Sequence, residues 1–187
     1  MKGGWPLAAI VILAAAGCAP AVRVPPLDPL PKDHVVLRDV RYVSQTNDHD
    51  CGPACLATML RHRGSRLTLE QLKDQMKPAP SGGVNKVEML CAARKEGFRV
   101  RMYDGGINDL RRQLLARRPL ILMLHPTPEA ARLFGARTGH YVVAVGYDDR
   151  RRLAVIHSGR QAFATIPYRR LQLQWSRTRF FTLLIEE

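Results

Sequence analysis

The order in which helical and strand-like patterns follow one another is the feature that most restricts the fold of this chain. Four segments with apolar residues at helical spacing begin near Cys51, Thr68, Asn85 and Asn108. After residue 119, short apolar or alternating runs predict a series of strands at 120–124, 140–147, 153–157, 163–166 and 180–185. Helices that precede a group of strands, instead of alternating with them, predict an α+β fold with an antiparallel sheet.

Local signals define several element boundaries. Pro53 suits the first turn of a helix that starts at Cys51, because the proline nitrogen has no hydrogen to donate there. Thr68 and Gln71 form a predicted capping box for the second helix, and Asn108 is the predicted N-cap of the fourth. The remaining predicted elements are strands at 34–43 and 98–103 and a short helix that starts near residue 167.

The first 33 residues predict a targeting segment that precedes the domain. The apolar run in residues 1–17 is shorter than the ~20 residues that a membrane span requires, so this segment is interpreted as a signal peptide. Small residues directly before Cys18 resemble a bacterial lipoprotein signal, in which that cysteine is lipidated; an ordinary cleaved signal is the alternative. Five prolines in residues 18–33 predict a semi-rigid tether, which leaves 34–187 as the domain.

The formal net charge of +13 limits the partners that the chain can attract. Arginine pairs such as Arg111-Arg112 and Arg169-Arg170 favour polyanions or anionic lipid. No aromatic platform or reading helix accompanies them, so no nucleic-acid partner is expected. With a lipid on Cys18, the domain is expected in the cell envelope outside the cytoplasm, and on the periplasmic face of the outer membrane in a Gram-negative host.

One cysteine lies where a helix is predicted to begin. A helix N-terminus favours negative charge and lowers the pKa of a thiol, so Cys51 is the candidate nucleophile. Gly52 allows a sharp turn beside its sulfur. Gln45, six residues earlier, can place its side-chain amide above the sulfur. Together with the backbone N–H of Cys51, that amide would hold the oxyanion of a tetrahedral intermediate.

His140 is the candidate base, because it stands at the mouth of a buried strand that holds it rigidly. From there it can take the proton of Cys51 and later protonate the leaving amine. Each residue alone is more often structural, and a cysteine in a buried helix usually packs as a small apolar side chain. Their combination with Gln45, in this order of elements, favours cysteine catalysis.

Two segments resemble the motifs of the bacteriocin-processing, double-glycine type of papain-like cysteine peptidases. In that family a glutamine precedes a Cys-Gly-Pro-Ala helix start by six residues, as it does in 45–54. The family's base belongs to a Gly-His-Tyr-Val-Val strand, as found in 139–147. The resemblance covers about 34–185, and segment 87–93 resembles the third helix of stand-alone bacterial lipoprotein members.

The resemblance implies a papain-like fold, with Cys51 as nucleophile, His140 as base and Gln45 as oxyanion donor. The family usually has an aspartate after the strand that follows the histidine strand, and this chain has Ser158 there. A hydroxyl does not stabilise an imidazolium as a carboxylate does, and loss of that carboxylate costs serine proteases about 10⁴ in turnover. Ser158, His157 or a backbone carbonyl could orient His140.

Three functions remain open. The first is hydrolysis of a peptide bond in an envelope protein through an acyl-enzyme on Cys51; in transporter-linked relatives the implied substrate is a leader that ends Gly-Gly. The second is transfer of the acyl group to an amine. The third is a binding or assembly module with weakened chemistry, which Ser158 at the aspartate position suggests.

Two further cysteines leave a choice between structural roles. Cys55 and Cys91 are interpreted either as a disulfide or as free thiols that pack in the core. A metal site that also includes Cys51 is less favoured, because Cys-x-x-x-Cys within one helix is not a usual zinc spacing. No metal or other cofactor is therefore expected.

Overall fold

The fold is seen in a computed structural model that describes residues 22–77, 82–128 and 139–186. The helices within these ranges are α1 (Cys51–His62), α2 (Leu69–Gln75), α3 (Lys86–Lys95), α4 (Ile107–Leu115) and α5 (Tyr168–Ser176). The strands are β1 (His34–Val36), β2 (Arg99–Asp104), β3 (Leu120–Leu124), β4 (His140–Asp148), β5 (Leu153–Ser158), β6 (Gln161–Pro167) and β7 (Phe181–Glu186). Among these helices none is long and apolar enough to cross a membrane. The predicted signal peptide and Cys18 lie outside the described residues.

The strands form one antiparallel sheet, which confirms the predicted α+β architecture. Their order is β2-β7-β3-β4-β5-β6, and β1 pairs with the distal end of β4. In the register, Leu124 of β3 lies opposite His140, and Ser158 of β5 lies opposite Val142. One end of the sheet therefore brings together the end of β3, the start of β4 and the end of β5.

Helix α1 runs through the centre of the domain. It contacts β4 on one side and α2 and α3 on others, and every residue from Gly52 to Leu60 is buried. Burial of a large apolar side chain such as Leu56 or Met59 contributes about 1.5–3 kcal/mol relative to exposure. This packing fixes the position of the helix start. Cys51, the first residue of the helix, is partly exposed, and the buried run follows it.

The capping box of Thr68 and Gln71 is confirmed, but the predicted cap of α4 is wrong. That helix starts at Ile107 with Gly106 at the N-cap. The Asn108 carboxamide instead donates to Pro26 O at 3.0 Å and accepts from the Asp28 N–H at 3.2 Å. A contact some 80 residues away in the chain has taken the side chain that the local pattern assigned to a cap.

The predicted strand at 34–43 is shorter in the structure. Only His34–Val36 pair in the sheet, and the chain beyond them leaves the ladder. Leu37 and Val40 are completely buried all the same. The alternation that predicted a longer strand therefore reflects burial of these two side chains in the core.

The segment predicted as a tether lies along the domain from residue 24 onward. Val24, Leu27 and Leu30 pack against the core. The buried guanidinium of Arg111 donates to Asp28 O at 2.9 Å and also pairs with the Asp149 carboxylate. The apolar residues between the prolines therefore pack on the domain. The semi-rigid tether over 18–33 and the domain boundary near residue 34 stay predictions.

Candidate active site

Cys51 is the first residue of α1, and its thiol is half-buried at the edge of an open cleft. The cleft has a volume of about 490 Å³. Its apolar lining comes from four separate parts of the chain: Val84, Met123, Tyr141 and Phe181. Glycine is required at position 52 for space rather than for a turn, because a β-carbon there would lie 2.5 Å from Val84 Cγ2.

Burial controls the ionisation of the candidate nucleophile. It raises the pKa of the Cys51 thiol above its ordinary value. The backbone N–H groups of Tyr141, Gly52 and Cys51 act in the opposite direction but do not compensate. The predicted lowering of the thiol pKa is therefore wrong, and Cys51 rests as a neutral thiol at neutral pH.

His140 begins β4 beside the start of α1. The backbone N–H of the next residue, Tyr141, faces the Cys51 sulfur, so the helix that carries the thiol and the strand that carries the imidazole meet here. His140 Nε2 lies 3.0 Å from Ser158 Oγ. When Nε2–H donates to that hydroxyl, Nδ1 keeps a lone pair that can accept a proton. Burial lowers the pKa of His140, which leaves the imidazole neutral at pH 7.

Gly159 lies where the predicted site residues come together. Gln45, Cys51 and Gly159 line one small cavity. A β-carbon on Gly159 would lie 3.6 Å from Gln45 Oε1 and 4.0 Å from His140 Cε1. Its φ of 58° also favours glycine. The structure thus gathers Cys51, His140, Gln45 and Ser158 at one place, while their chemical roles remain predictions.

The loop that carries Gln45 is attached to this glycine. Gln45 N–H donates to Gly159 O at 3.3 Å, and the Tyr42 hydroxyl donates to the same carbonyl. The Gln45 side chain donates from Nε2 to Asn47 O at 3.0 Å, which leaves a second N–H on that nitrogen. No sequence pattern predicted that Tyr42 and Gly159 belong to the site. The only available signal was a glycine directly after a predicted strand, which indicates a turn and nothing about the site.

The sequence pattern of the Peptidase C39 family matches residues 39–184. The chain belongs to the Peptidase C39 family. Among curated relatives, it is 34% identical over 76 residues to an uncharacterized protein of Methanothermobacter thermautotrophicus, covering 41% of this chain and 53% of that one. It is 29% identical over 114 residues to an uncharacterized protein of Methanothermobacter marburgensis, covering 61% of this chain and 69% of that one. The chain thus spans about half the length of the first relative.

Solved structures of C39 domains have the same fold. A Bacillus anthracis protein described as C39-like matches with a TM-score of 0.68 and 17% identity, over 83% of this chain and 98% of that one. The peptidase domain of Streptococcus ComA matches with a TM-score of 0.59 and 22% identity, over 78% of this chain and 97% of that one. A third match is a double-glycine-motif protease of an AMS/PCAT transporter, solved in complex with the leader peptide. Its TM-score is 0.58 and its identity 20%, over 82% of this chain and 98% of that one. The predicted papain-like fold is confirmed.

In this C39 domain, His157 does not orient His140. Its side chain is buried, with Nε2 3.0 Å from Val40 O and Nδ1 accepting the Phe163 N–H at 3.2 Å. Neighbouring residues on a strand point to opposite faces of the sheet, so Ser158 faces His140 and His157 cannot. The alternative that assigned this role to His157 is wrong.

The other cysteines of the C39 domain are free thiols. Cys55 is buried and Cys91 is exposed, and every cysteine within the described ranges is unpaired. The disulfide alternative is therefore wrong for this pair. Core packing holds for Cys55, but it is wrong for the exposed Cys91. Within the same ranges no group of three or more potential metal ligands is found. Family and fold together support a cysteine-peptidase function.

Proposed function

We propose that this C39 domain hydrolyses a peptide bond in a protein of the cell envelope through an acyl-enzyme on Cys51. The observation that carries the proposal is the meeting of α1 and β4, where the Tyr141 N–H faces the Cys51 sulfur. His140 comes one residue earlier on β4, and we propose that its Nδ1 reaches the thiol during the reaction. In this arrangement Cys51 is the nucleophile, His140 the base and Gln45 the oxyanion donor.

The ionisation of the pair determines how the thiol is activated. Because burial raises the pKa of Cys51 and lowers that of His140, the resting pair is neutral. Nδ1 of His140 takes the thiol proton as the sulfur attacks the carbonyl carbon. The developing oxyanion receives the free N–H of Gln45 and the backbone N–H of Cys51.

The tetrahedral intermediate then collapses. The imidazolium donates its proton to the leaving amine, and the acyl group stays on Cys51 as a thioester. A water molecule, deprotonated by His140, releases the acid. Ser158 supports the imidazolium with a neutral hydroxyl instead of a carboxylate, so turnover is expected to be slower than in a domain with an aspartate there.

The proposed substrate is a peptide segment, and a leader that ends Gly-Gly is the first candidate. Family membership and the open cleft beside Cys51 support a peptide. One related protease was solved in complex with a leader peptide. The sequence before Cys18 supports a lipid anchor there and a position outside the cytoplasm, on the periplasmic face of the outer membrane in a Gram-negative host.

The test of hydrolysis compares wild type with Cys51→Ala in the native envelope. Protein N-termini are mapped by mass spectrometry, and purified protein is then incubated with the peptides so identified. New N-termini that need Cys51 support hydrolysis, and products joined to an amine indicate transfer. Binding of the same peptides by both variants without any product would contradict hydrolysis and favour the binding module.

The anchor has a separate test. Cells that express wild type, Cys18→Ser or Cys51→Ser receive an alkyne analogue of palmitate, and the label on the chain is measured. Label on wild type and Cys51→Ser but not on Cys18→Ser is expected. Equal labelling of Cys18→Ser would contradict lipidation at that cysteine.

A further inference from the structure

The residue before the nucleophile has an unusual role for its position. Asp50 stands at the N-cap of α1, where an aspartate usually accepts hydrogen bonds from the first turn. Its carboxylate makes no such bond, and its φ and ψ of −90° and 7° are not those of a usual cap. The side chain is nevertheless only 7% exposed. A buried charge that does not cap its helix requires another explanation.

The Asp50 carboxylate is committed to the loop before Cys51 and to α2. One oxygen, Oδ2, accepts the Thr46 hydroxyl, the Asn47 side-chain amide at 2.8 Å and the Lys73 ammonium at 3.1 Å. Burial favours the protonated form, but these three donors outweigh it and hold the pKa of Asp50 below its ordinary value. The carboxylate is therefore ionised at neutral pH.

This network leads to the proposed oxyanion donor. Asn47 is held at its side chain by Asp50, and its carbonyl accepts both the Asp50 N–H at 3.3 Å and the Gln45 Nε2–H at 3.0 Å. The orientation of the Gln45 amide is thus determined by Asn47, whose own position depends on Asp50. Lys73 reaches the same group from α2, with Nζ also 3.5 Å from Thr46 Oγ1.

The direction of the Asp50 side chain has a second consequence. A capping carboxylate would accept N–H groups of the first turn of α1. Because Lys73 and the loop hold the carboxylate elsewhere, the N–H groups of Cys51 and Gly52 remain directed at the region of the sulfur, where they act on the thiol. The same region receives the oxyanion in the proposed reaction.

We propose that Asp50, held by Lys73, is the positioning residue of the oxyanion hole: it fixes the Gln45 amide through Asn47 and keeps a carboxylate away from the first N–H groups of α1. The proposal rests on the proposed role of Gln45. Asp50 acts only through other groups and does not contact the substrate.

A double-mutant cycle tests this coupling. Loss of an oxyanion donor costs about 10²–10³ in turnover, so Gln45→Ala is expected to lower kcat by that factor. Asp50→Ala is expected to lower kcat by at least about tenfold with KM little changed, as loss of an interaction made only in the transition state requires. Adding Asp50→Ala to Gln45→Ala should change kcat by less than about threefold, because the two act as a unit. Effects that multiply would overturn the proposal.

Two variants separate positioning from loss of folding. Asp50→Asn keeps the side-chain shape and one oxygen acceptor and should recover part of the kcat that Asp50→Ala loses. Asp39→Ala is the matched control, since it removes an exposed carboxylate that pairs with Arg117 at 2.9 Å, and its kcat should equal that of wild type. If Asp50→Asn unfolds as wild type does and turns over no faster than Asp50→Ala, positioning through the hydrogen bonds to the Asp50 oxygen is contradicted.

A readout that needs no turnover distinguishes this proposal from the proposed function. In ¹⁵N-labelled protein, the side-chain amide signal of Gln45 is identified by its loss in Gln45→Ala, and its relaxation reports its order. The amide should be ordered in wild type and Asp39→Ala and mobile in Asp50→Ala. Equal order in Asp50→Ala would overturn the positioning role. If the Gln45 amide is ordered but the protein cleaves no peptide, the proposed hydrolysis is contradicted and the positioning role of Asp50 is not.

Discussion

The loop before Cys51 and the strand end that carries Ser158 hold the two halves of the site by different chemistry. On the nucleophile side, the ionised carboxylate of Asp50 gathers two loop side chains and a lysine. On the base side, His140 has one neutral partner, the Ser158 hydroxyl at 3.0 Å. The first half is organised to place donors around an oxyanion. The second orients an imidazole but adds no charge to stabilise its protonated form.

The largest effect is expected from removal of the base. General acid–base catalysis contributes about 10²–10⁴, so His140→Ala should lower kcat/KM by that factor. The neutral resting pair makes this loss large, because the thiol then has no acceptor for its proton at pH 7. Peptide cleavage measures the change, and circular dichroism checks the fold. Full activity in a folded His140→Ala would show that Cys51 does not depend on this base.

A smaller loss is expected on the nucleophile side from Gln45→Ala, about 10²–10³ in kcat. Alkylation of Cys51 by iodoacetamide forms no oxyanion, so its rate should stay close to that of wild type. The ratio of the two rates separates a donor to the oxyanion from a residue that only supports the thiol. An equal loss in both reactions would contradict the assignment.

The base side can be given the charge that it lacks. A carboxylate within about 4–6 Å raises the pKa of a histidine, by roughly 1–3 units, so Ser158→Asp should shift the His140 titration upward by that amount. The wild-type imidazole has a pKa below 6.5 because it is buried. The acidic limb of kcat/KM should therefore lie below pH 6.5 in wild type and move to higher pH in the variant. NMR of the His140 ring measures the titration directly, and Ser158→Asn, which adds no charge, should leave it near the wild-type position.

The features that the sequence predicted correctly are those that neighbouring residues determine. The capping box of Thr68 and Gln71 spans four residues, and the start of α1 follows from Pro53 and its apolar run. The distribution of helical and strand patterns gave the α+β class for the same reason. A resemblance in two short motifs then sufficed to identify the candidate nucleophile and base.

The features that the sequence did not reveal depend on contacts between distant parts of the chain. Asn108 binds Pro26 and Asp28 rather than capping α4. Asp50 turns from its helix because Lys73 reaches it from α2. The raised pKa of Cys51 follows from burial of the thiol in the folded domain, and a local sequence pattern does not show that burial. Each depends on packing that is decided only when the whole domain has formed.

The smallest effect on turnover is expected at His157, where replacement should lower stability instead. This residue has the same side chain as His140, lies on the neighbouring strand and faces the other side of the sheet. Replacement by alanine leaves Val40 O and the Phe163 N–H without their partner. An unsatisfied buried group costs about 1–3 kcal/mol, so the free energy of unfolding should fall by at least that amount. Turnover is measured separately on the folded protein. It should stay within about threefold of wild type.

The pH dependence of stability supplies the check on His157. Burial lowers its pKa below 6.5 in the folded protein, while the unfolded chain binds the proton near the ordinary value. Below about pH 6.5 the unfolded state therefore binds more protons, and the free energy of unfolding falls as the pH falls. Removing His157 should reduce this slope, measured by urea unfolding between pH 7.5 and 5, and His140→Ala provides the comparison because its pKa is also lowered by burial. An unchanged slope in His157→Ala, or a loss of turnover as large as that of His140→Ala, would remove the distinction drawn between the two histidines.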